Sequence, residues 1–231
     1  MLFPPLLWRG VRGEVMKNYI NIHTHHLSYD NGVFLFNNRF GSDEEVYTKT
    51  YFSVGIHPWD ADKHIPLTEL ENTISHKHCL AIGECGLDKI KGPDLEIQNE
   101  VFLLQLQLAV NYQKPVIIHC VKAFDELIEI SKPYHSKIPL IIHGFNKSFQ
   151  LAEQLISKGF YLSLNPSIFK NINTDFKEIS IDKIFLETDN NQQLSIVEVY
   201  KMASYYLKIN EDELKEKIYS NFTLLFNTHG R

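Results

Sequence analysis

The chain has 231 residues, with 23 Lys plus Arg against 28 Asp plus Glu and a formal charge of −5. Apolar residues make up 44% and aromatic residues 12%, enough for a core, which excludes disorder as the main state. No window approaches the roughly 18 uninterrupted apolar residues of a membrane span. Three cysteines, Cys79, Cys85 and Cys120, with no C-x-x-C pair, exclude a disulfide scaffold. Histidine is the outlier, at 11 residues.

Residues 1–15 read MLFPPLLWRGVRGEV. Charge follows a short apolar stretch broken by Pro4 and Pro5, the wrong order for a secretory signal. Strand patterning begins after Met16, at KNYINIHTHH. The expectation is a single domain over 16–231, with 1–15 a non-native or disordered extension. An ordered arm packed on the domain is the alternative. With no export signal and free thiols, the expected compartment is the cytoplasm.

Short apolar runs then alternate with helical patterns. The runs are YINIHTH (19–25), a weaker VFLFNN (33–38), YFSVGIH (51–57), CLAIGE (79–84), PVIIH (115–119), PLIIH (139–143), FYLSLN (160–165) and KIFLETD (183–189). They are rich in Ile, Val, Leu and Phe without strict polar alternation, as in strands covered on both faces of a parallel sheet. Between them, 94–114 places Ile97, Val101, Leu104 and Leu108 on one helical stripe. Segments 122–132 and 147–158 are shorter helices, and the C-terminal pair covers about 194–208 and 211–226. Asn210 followed by Glu213 suits a helix start.

Alternating strands and helices predict an α/β fold. The run endings His57, Glu84, His119, His143, Asn165 and Asp189 are 22 to 35 residues apart, near the roughly 30 residues per unit of a (β/α)8 TIM-type barrel. Segment 26–50 is too short for two full units, so the first βα units must be trimmed or distorted. The alternative is an open doubly wound sheet, disfavoured because no Gly-rich phosphate loop follows the first strand.

Six runs end in an ionisable residue: His25, His57, Glu84, His119, His143 and Asp189. In a barrel the C-terminal strand ends converge on one mouth, where catalytic residues gather. His23 and His25 are two apart on a strand, so both imidazoles face one side. An HxH alone is weak. With Glu84, His119, His143 and Asp189 added, it points to metal, because buried unpaired imidazoles and carboxylates would otherwise be costly. Mixed His and carboxylate donors suit Zn, Mn, Fe or Mg. Six ligands exceed the needs of one ion, and two divalent ions bridged by a carboxylate is the economical arrangement. Glu84, central in strand order, is the expected bridge. Cys85 and Cys120 each follow a ligand and should point away, as small core residues.

The blocks NIHTHH (21–26), GIHP (55–58), GECGLD (83–88), VIIHCVKA (116–123), IIHGF (141–145), LETD (186–189) and NFTLLF (221–226) together resemble the TatD-type metal-dependent hydrolases of the amidohydrolase-like barrel group. The resemblance runs from about 17 to 227. It implies one ion on His23, His25, Glu84 and Asp189, and a second on Glu84, His119 and His143. It puts His57 near the substrate and gives Asp88 a role in supporting its loop. Lys122 stands where relatives usually carry Arg, so a bidentate phosphate contact becomes a point charge. The block after His143 reads H-G-F-N-K, and NNQQ (190–193) replaces a stretch that often holds Pro.

The expected reaction is metal-assisted hydrolysis of a phosphoester. Asp189 is the expected proton acceptor, with a plain ligand role as the other reading, and His57 and Lys122 steady the phosphate. The resemblance implies a deoxyribonuclease working at a DNA end. The net charge argues against a broad basic surface, but Lys89, Lys91, Lys122, Lys147 and Lys170 follow strands, interleaved with Trp59, Phe124, Phe145 and Phe169, which could stack on bases. Their other reading is solvated lysines and core aromatics. Two alternatives stand: a barrel hydrolase of a small phosphate ester, lactone or amide, and a non-catalytic metal-binding protein. Neither a membrane nor an obligate protein partner is expected.

Overall fold

The computed structural model describes residues 19–26, 32–39, 50–64, 66–170 and 174–226, with the short pieces 8–9 and 15–16. Trp8 pairs with Met16 and Arg9 with Val15 in an antiparallel ladder. The rest of 1–15 lies outside the described residues.

Eight strands pair in chain order, all parallel: β1 (Tyr19–Thr24), β2 (Gly32–Arg39), β3 (Tyr51–Gly55), β4 (Cys79–Asp88), β5 (Val116–Val121), β6 (Leu140–Phe145), β7 (Tyr161–Leu164) and β8 (Ile184–Leu186). The apolar runs bury both faces. Ile20, Val54, Ile82, Ile117, Ile142, Leu162 and Phe185 are wholly or almost wholly inaccessible. Removing one such side chain to Ala typically costs about 2–5 kcal/mol.

Closure separates the barrel from the open sheet. His25 N donates to Asp189 O at 3.1 Å, and Asp189 N donates to His23 O at 3.0 Å, a parallel bridge around Thr24. Below that bridge, side chains stitch the seam. Asn21 Nδ2 donates to Thr188 Oγ1 at 2.8 Å, and Thr188 N donates to Asn21 Oδ1 at 3.1 Å. Tyr200 OH donates to Ile20 O and accepts from Ile20 N, both at 3.2 Å. These polar groups satisfy backbone that no neighbouring strand reaches. The architecture is therefore a (β/α)8 TIM-type barrel.

Helices follow the strands: α1 (Leu67–Ser75) after β3, α2 (Leu95–Tyr112) after β4, α3 (Phe124–Ser131) after β5, α4 (Phe149–Ser157) after β6, and α5 (Ile196–Leu207) with α6 (Glu211–Phe226) after β8. Between β7 and β8 the connection is built of 3-10 turns. Residues 25–31, joining β1 to β2, are too few for a helical crossover, which usually needs at least about 10–12 residues, and residues 40–50, joining β2 to β3, stand at that minimum. In length these are the two shortest connections between consecutive strands, as expected, and most of their residues lie outside the described ones. Helix α1 was not foreseen.

Helix starts follow ordinary chemistry. Ser195 and Glu198 form a reciprocal capping box on α5, and Asn210 Oδ1 accepts from Asp212 N at 2.9 Å at the start of α6. The buried face of α2 departs from the expected stripe. Ile97 is 38% exposed, while Gln98 and Gln105 are buried beside Phe102, Leu106 and Ala109. Both glutamines cap strand ends. Gln98 accepts from Asp88 N at 2.8 Å and donates to Asp88 O at 2.9 Å. Gln105 accepts from Ile56 N at 2.6 Å and donates to Ile56 O at 3.1 Å. The need to satisfy barrel-mouth backbone overrides apolar periodicity. Among the described residues, no helix is long and apolar enough to cross a membrane.

Candidate metal centre

Three strands gain an extra residue where a candidate ligand sits. Between β1 and β2 the register slips between Asn21 and Thr24, around His23. Between β4 and β5 it slips between Ile82 and Cys85, around Glu84. Between β6 and β7 it slips between Ile142 and Phe145, around His143. Such bulges re-aim a side chain relative to the pleat, here into the mouth. The glycines flanking Glu84 make its bulge possible. A Cβ on Gly83 would stand 2.4 Å from Ile117 O, and one on Gly86 would stand 2.1 Å from His119 O. Only glycine lets β4 approach β5 so closely.

Glu84 is the hub. It is 5% exposed, and its two oxygens face different histidines. Oε1 lies 2.8 Å from His119 Nδ1, 2.8 Å from His143 Nε2 and 3.2 Å from His57 Nε2. Oε2 lies 3.6 Å from His23 Nε2 and 3.8 Å from His25 Nε2. Asp189 Oδ1 faces the same pair, 3.6 Å from His23 Nε2 and 3.5 Å from His25 Nε2. Donor atoms of His23, His25 and Glu84, of His23, His143 and Asp189, and of His57, Glu84 and His119 each lie within 4.8 Å of one another. All six sequence-proposed ligands thus share one cluster, with His57 added.

These residues fit divalent metal. His23 is wholly buried, yet neither ring nitrogen has a hydrogen-bond partner. Its contacts of 3.6 Å are too long for hydrogen bonds, but nitrogen and oxygen ligands about 2.0–2.1 Å from one tetrahedral ion stand roughly 3.3–3.4 Å apart. A cation between them would satisfy atoms that the protein leaves unpaired.

The electrostatics ask for positive charge. Burial pushes His23 down to about 3, keeping its imidazole neutral and able to ligate. Burial would also lower His143, but Glu84 and Glu187 outweigh it and hold it well above the usual range. Burial alone would raise Glu84. The imidazoles of His143, His119 and His57 instead hold it well below the ordinary carboxylate range. Asp189, likewise opposed by burial, is held at about 2 by the His25 hydrogen bond and by His23 and His143.

A supporting layer orients these groups. Asn37 Nδ2 donates to Glu84 Oε2 at 2.7 Å, while Glu84 N donates to Asn37 Oδ1 at 3.2 Å. Asp88 Oδ2 lies 3.3 Å from His119 Nε2 and accepts from Trp59 Nε1 at 2.7 Å. Its Oδ1 takes Ile90 N and Lys91 N, which pins the following loop. Glu187, fully buried, accepts from Gly144 N at 2.8 Å and stands 3.8 Å from His143 Nδ1. Burial raises its carboxyl. Asn37 and Glu187 were missed. Asn37 sits in the weakest strand run. Glu187 had a readable sign, because it lies two residues before Asp189 on an extended segment.

His57 is 4% exposed, with Nδ1 accepting from Trp59 N at 3.2 Å. Its neutral form therefore carries the proton on Nε2 and donates it to Glu84. Lys122 sits just past β5 with φ 54°, and Asp189 past β8 with φ 52°. Left-handed backbone at non-glycine residues is uncommon and clusters at functional sites.

Of the lysines and aromatics expected at the mouth, Lys89 is engaged by Glu126 at 2.6 Å and Lys91 lies over the Trp59 ring at 4.5 Å. Phe145 and Phe169 are 2% exposed and belong to the core. Lys147 and Phe124 line a cleft of about 240 Å³ beside His119, His143 and Asp189. Cys85 is in the core, as expected. Cys120 is half-buried and packs against the core while also bordering this cleft.

A family model described as TatD related DNase matches residues 33–227. The chain belongs to the TatD family of metal-dependent hydrolases. The matched span begins after His23 and His25, whose place in the cluster rests on the geometry above. The chain is 28% identical over 207 residues to an uncharacterized metal-dependent hydrolase of Buchnera aphidicola, covering 78% of each. It is 36% identical over 157 residues to the metal-dependent hydrolase YabD of Bacillus subtilis, covering 63% of this chain and 60% of YabD. The crystal structure of the TatD homolog YjjV from Escherichia coli superposes with a TM-score of 0.77 at 23% identity, covering 91% of this chain and 98% of that one. A TatD family hydrolase from Entamoeba histolytica gives 0.71 at 16% identity, with the same coverage. At these identities the two structures speak for the fold.

Proposed function

We propose that this TatD-family chain is a divalent-metal-dependent phosphodiesterase, a deoxyribonuclease that removes nucleotides from a DNA end. The observation that carries the reading is the division of the Glu84 carboxylate, with Oε2 toward His23 and His25 and Oε1 toward His119 and His143. His23, His25, Asp189 and Glu84 would hold one ion, and Glu84, His119 and His143 the other. The donor set suits Zn, Mg or Mn. Bound there, the ions would supply hydroxide at neutral pH and neutralise charge on the phosphate oxygens.

The protein groups do the rest. Asp189, 29% exposed at its side chain, accepts the proton of the attacking water. Its position at the rim lets it touch both solvent and the cluster. Lys122 steadies the phosphate, and His57, expected beside the substrate, acts instead through its contact with Glu84 Oε1. Asp88 and Glu187 hold His119 and His143 in orientation, the usual work of partners behind metal-bound imidazoles.

A second reading is a hydrolase of small phosphate esters. It is favoured by the modest 240 Å³ cleft and by the engagement of Lys89 and Lys91 within the protein.

The deciding experiment strips the protein of metal and reloads it with Mg, Mn or Zn. Each form is assayed on single-stranded DNA, duplex DNA, RNA and a generic phosphodiester. About two ions per chain and release of nucleotides from DNA are expected. Glu84→Ala should lose ion binding and activity together. Ester cleavage without DNA cleavage selects the second reading. Metal bound with no hydrolysis of any substrate leaves only a metal-binding protein.

A further inference from the structure

A second, open cleft of about 530 Å³ adjoins the metal centre, within the roughly 300–1,000 Å³ of small-molecule sites. It shares Asn165 and Asp189 with the 240 Å³ cleft, so the two meet at the proposed proton acceptor. Their chemistry differs. The smaller one carries His119, His143 and Lys147. The larger is walled by five side-chain amides, from Asn165, Asn190, Asn191, Gln192 and Gln193. Among the described residues lining it, Asp189 is the only charged group. No Lys or Arg is among them, so apart from Asp189 its walls offer neutral amides rather than the cationic side chains that recognise a phosphate.

The amide wall is built rather than loose. Asn191 Oδ1 accepts from Gln193 N at 2.9 Å and from Leu194 N at 3.2 Å, which fixes the loop. Asn190 Oδ1 lies 2.9 Å from His26 Nε2. Asn165 Oδ1 accepts from Ser167 N at 3.0 Å, which leaves its Nδ2 for the cleft. Each amide offers donors and acceptors, the combination that reads an uncharged heterocycle edge.

We propose that this cleft is a subsite for the nucleoside portion of the substrate, with Asn165 and Gln193 as its recognition residues, while the phosphate chain leaves past Lys147. This rests on the phosphodiesterase reading and goes beyond it by dividing the substrate between two clefts. Asn165 presents its Nδ2 as a fixed donor, whereas the Gln193 amide can turn either its donor or its acceptor inward, so the subsite tolerates different bases.

The test has two arms, one independent of hydrolysis. In the first, the metal-loaded protein is titrated with thymidine and with adenosine by calorimetry. Millimolar binding is expected for both, weakened at least about fivefold by Gln193→Leu or Asn165→Leu. Thermal melting checks folding, and Asn165→Asp, which keeps the acceptor for Ser167 N, substitutes if the Leu variant melts early. In the second arm, the p-nitrophenyl ester of thymidine 5′-phosphate is compared with methyl p-nitrophenyl phosphate. The double variant should lower the preference for the nucleoside ester about tenfold or more, through KM. Absence of nucleoside binding to the unaltered protein overturns the proposal, as does equal binding by the folded variants or a preference that does not change. If neither ester is cleaved, the phosphodiesterase reading fails and the nucleoside titration still decides the subsite.

Discussion

Asn37→Ala probes whether the hub carboxylate is held in place by its neighbour or by metal alone. Asn37 and Glu84 are 4% and 5% exposed and exchange two hydrogen bonds, of 2.7 and 3.2 Å. Truncation removes a charge-assisted bond to Oε2, about 1.5–3 kcal/mol, and strands the buried Glu84 N–H, about 1–3 kcal/mol. Together they come to about 2.5–6 kcal/mol, a large part of the roughly 5–15 kcal/mol that stabilises an ordinary protein. For a chain of this size that corresponds to a fall of roughly 5–24 °C in Tm. Ion affinity should also drop, by about 10–100-fold. Calorimetric melting and competitive metal titration read the two effects separately. A melting temperature within about 1 °C of the unaltered chain, with unchanged ion affinity, refutes the reasoning.

Gly83→Ala places a methyl 2.4 Å from Ile117 O, and backbone cannot yield as a side-chain tip does. Destabilisation of about 3 kcal/mol or more is expected, read as a lower urea midpoint. Glu187→Gln keeps an acceptor for Gly144 N but removes the charge beside His143. Near-native melting with about 10–100-fold lower activity is expected, and full activity would show that Glu187 only packs. Tyr19 donates to Glu211 at 2.7 Å, and burial, with that hydrogen bond, pushes its hydroxyl up to about 12. The folded state favours the protonated phenol. Its contribution is therefore whole below about pH 10, the unfolded value, and is lost as pH rises toward 12. The stability gap between the unaltered chain and Tyr19→Phe should close over that window in alkaline denaturation curves.

Much of the fold was legible in the chain because its signals are local. The buried runs PVIIH and PLIIH became β5 and β6, and helix 211–226 appears as expected. The residues of the candidate cluster were legible too, since imidazoles and carboxylates recur at strand ends. The buried face of α2 was not. Gln98 and Gln105 look like surface residues until the strand-end groups that they satisfy are in view. Asn37 and Glu187 were hidden for the same reason, because their importance lies in a partner distant along the chain.

By itself, the sequence determined most of the elements, α1 excepted, and the side-chain chemistry at the strand ends, because hydrophobic period and side-chain type are properties of neighbouring residues. The tertiary structure alone decided which groups meet. Three bulges turn His23, Glu84 and His143 into the mouth, and the seam between β1 and β8 sets Asp189 beside His23 and His25. Closure of a twisted sheet depends on all eight strands at once, so no local stretch encodes it. The same two hydrogen bonds that close the barrel also bring together the ends of the candidate metal centre.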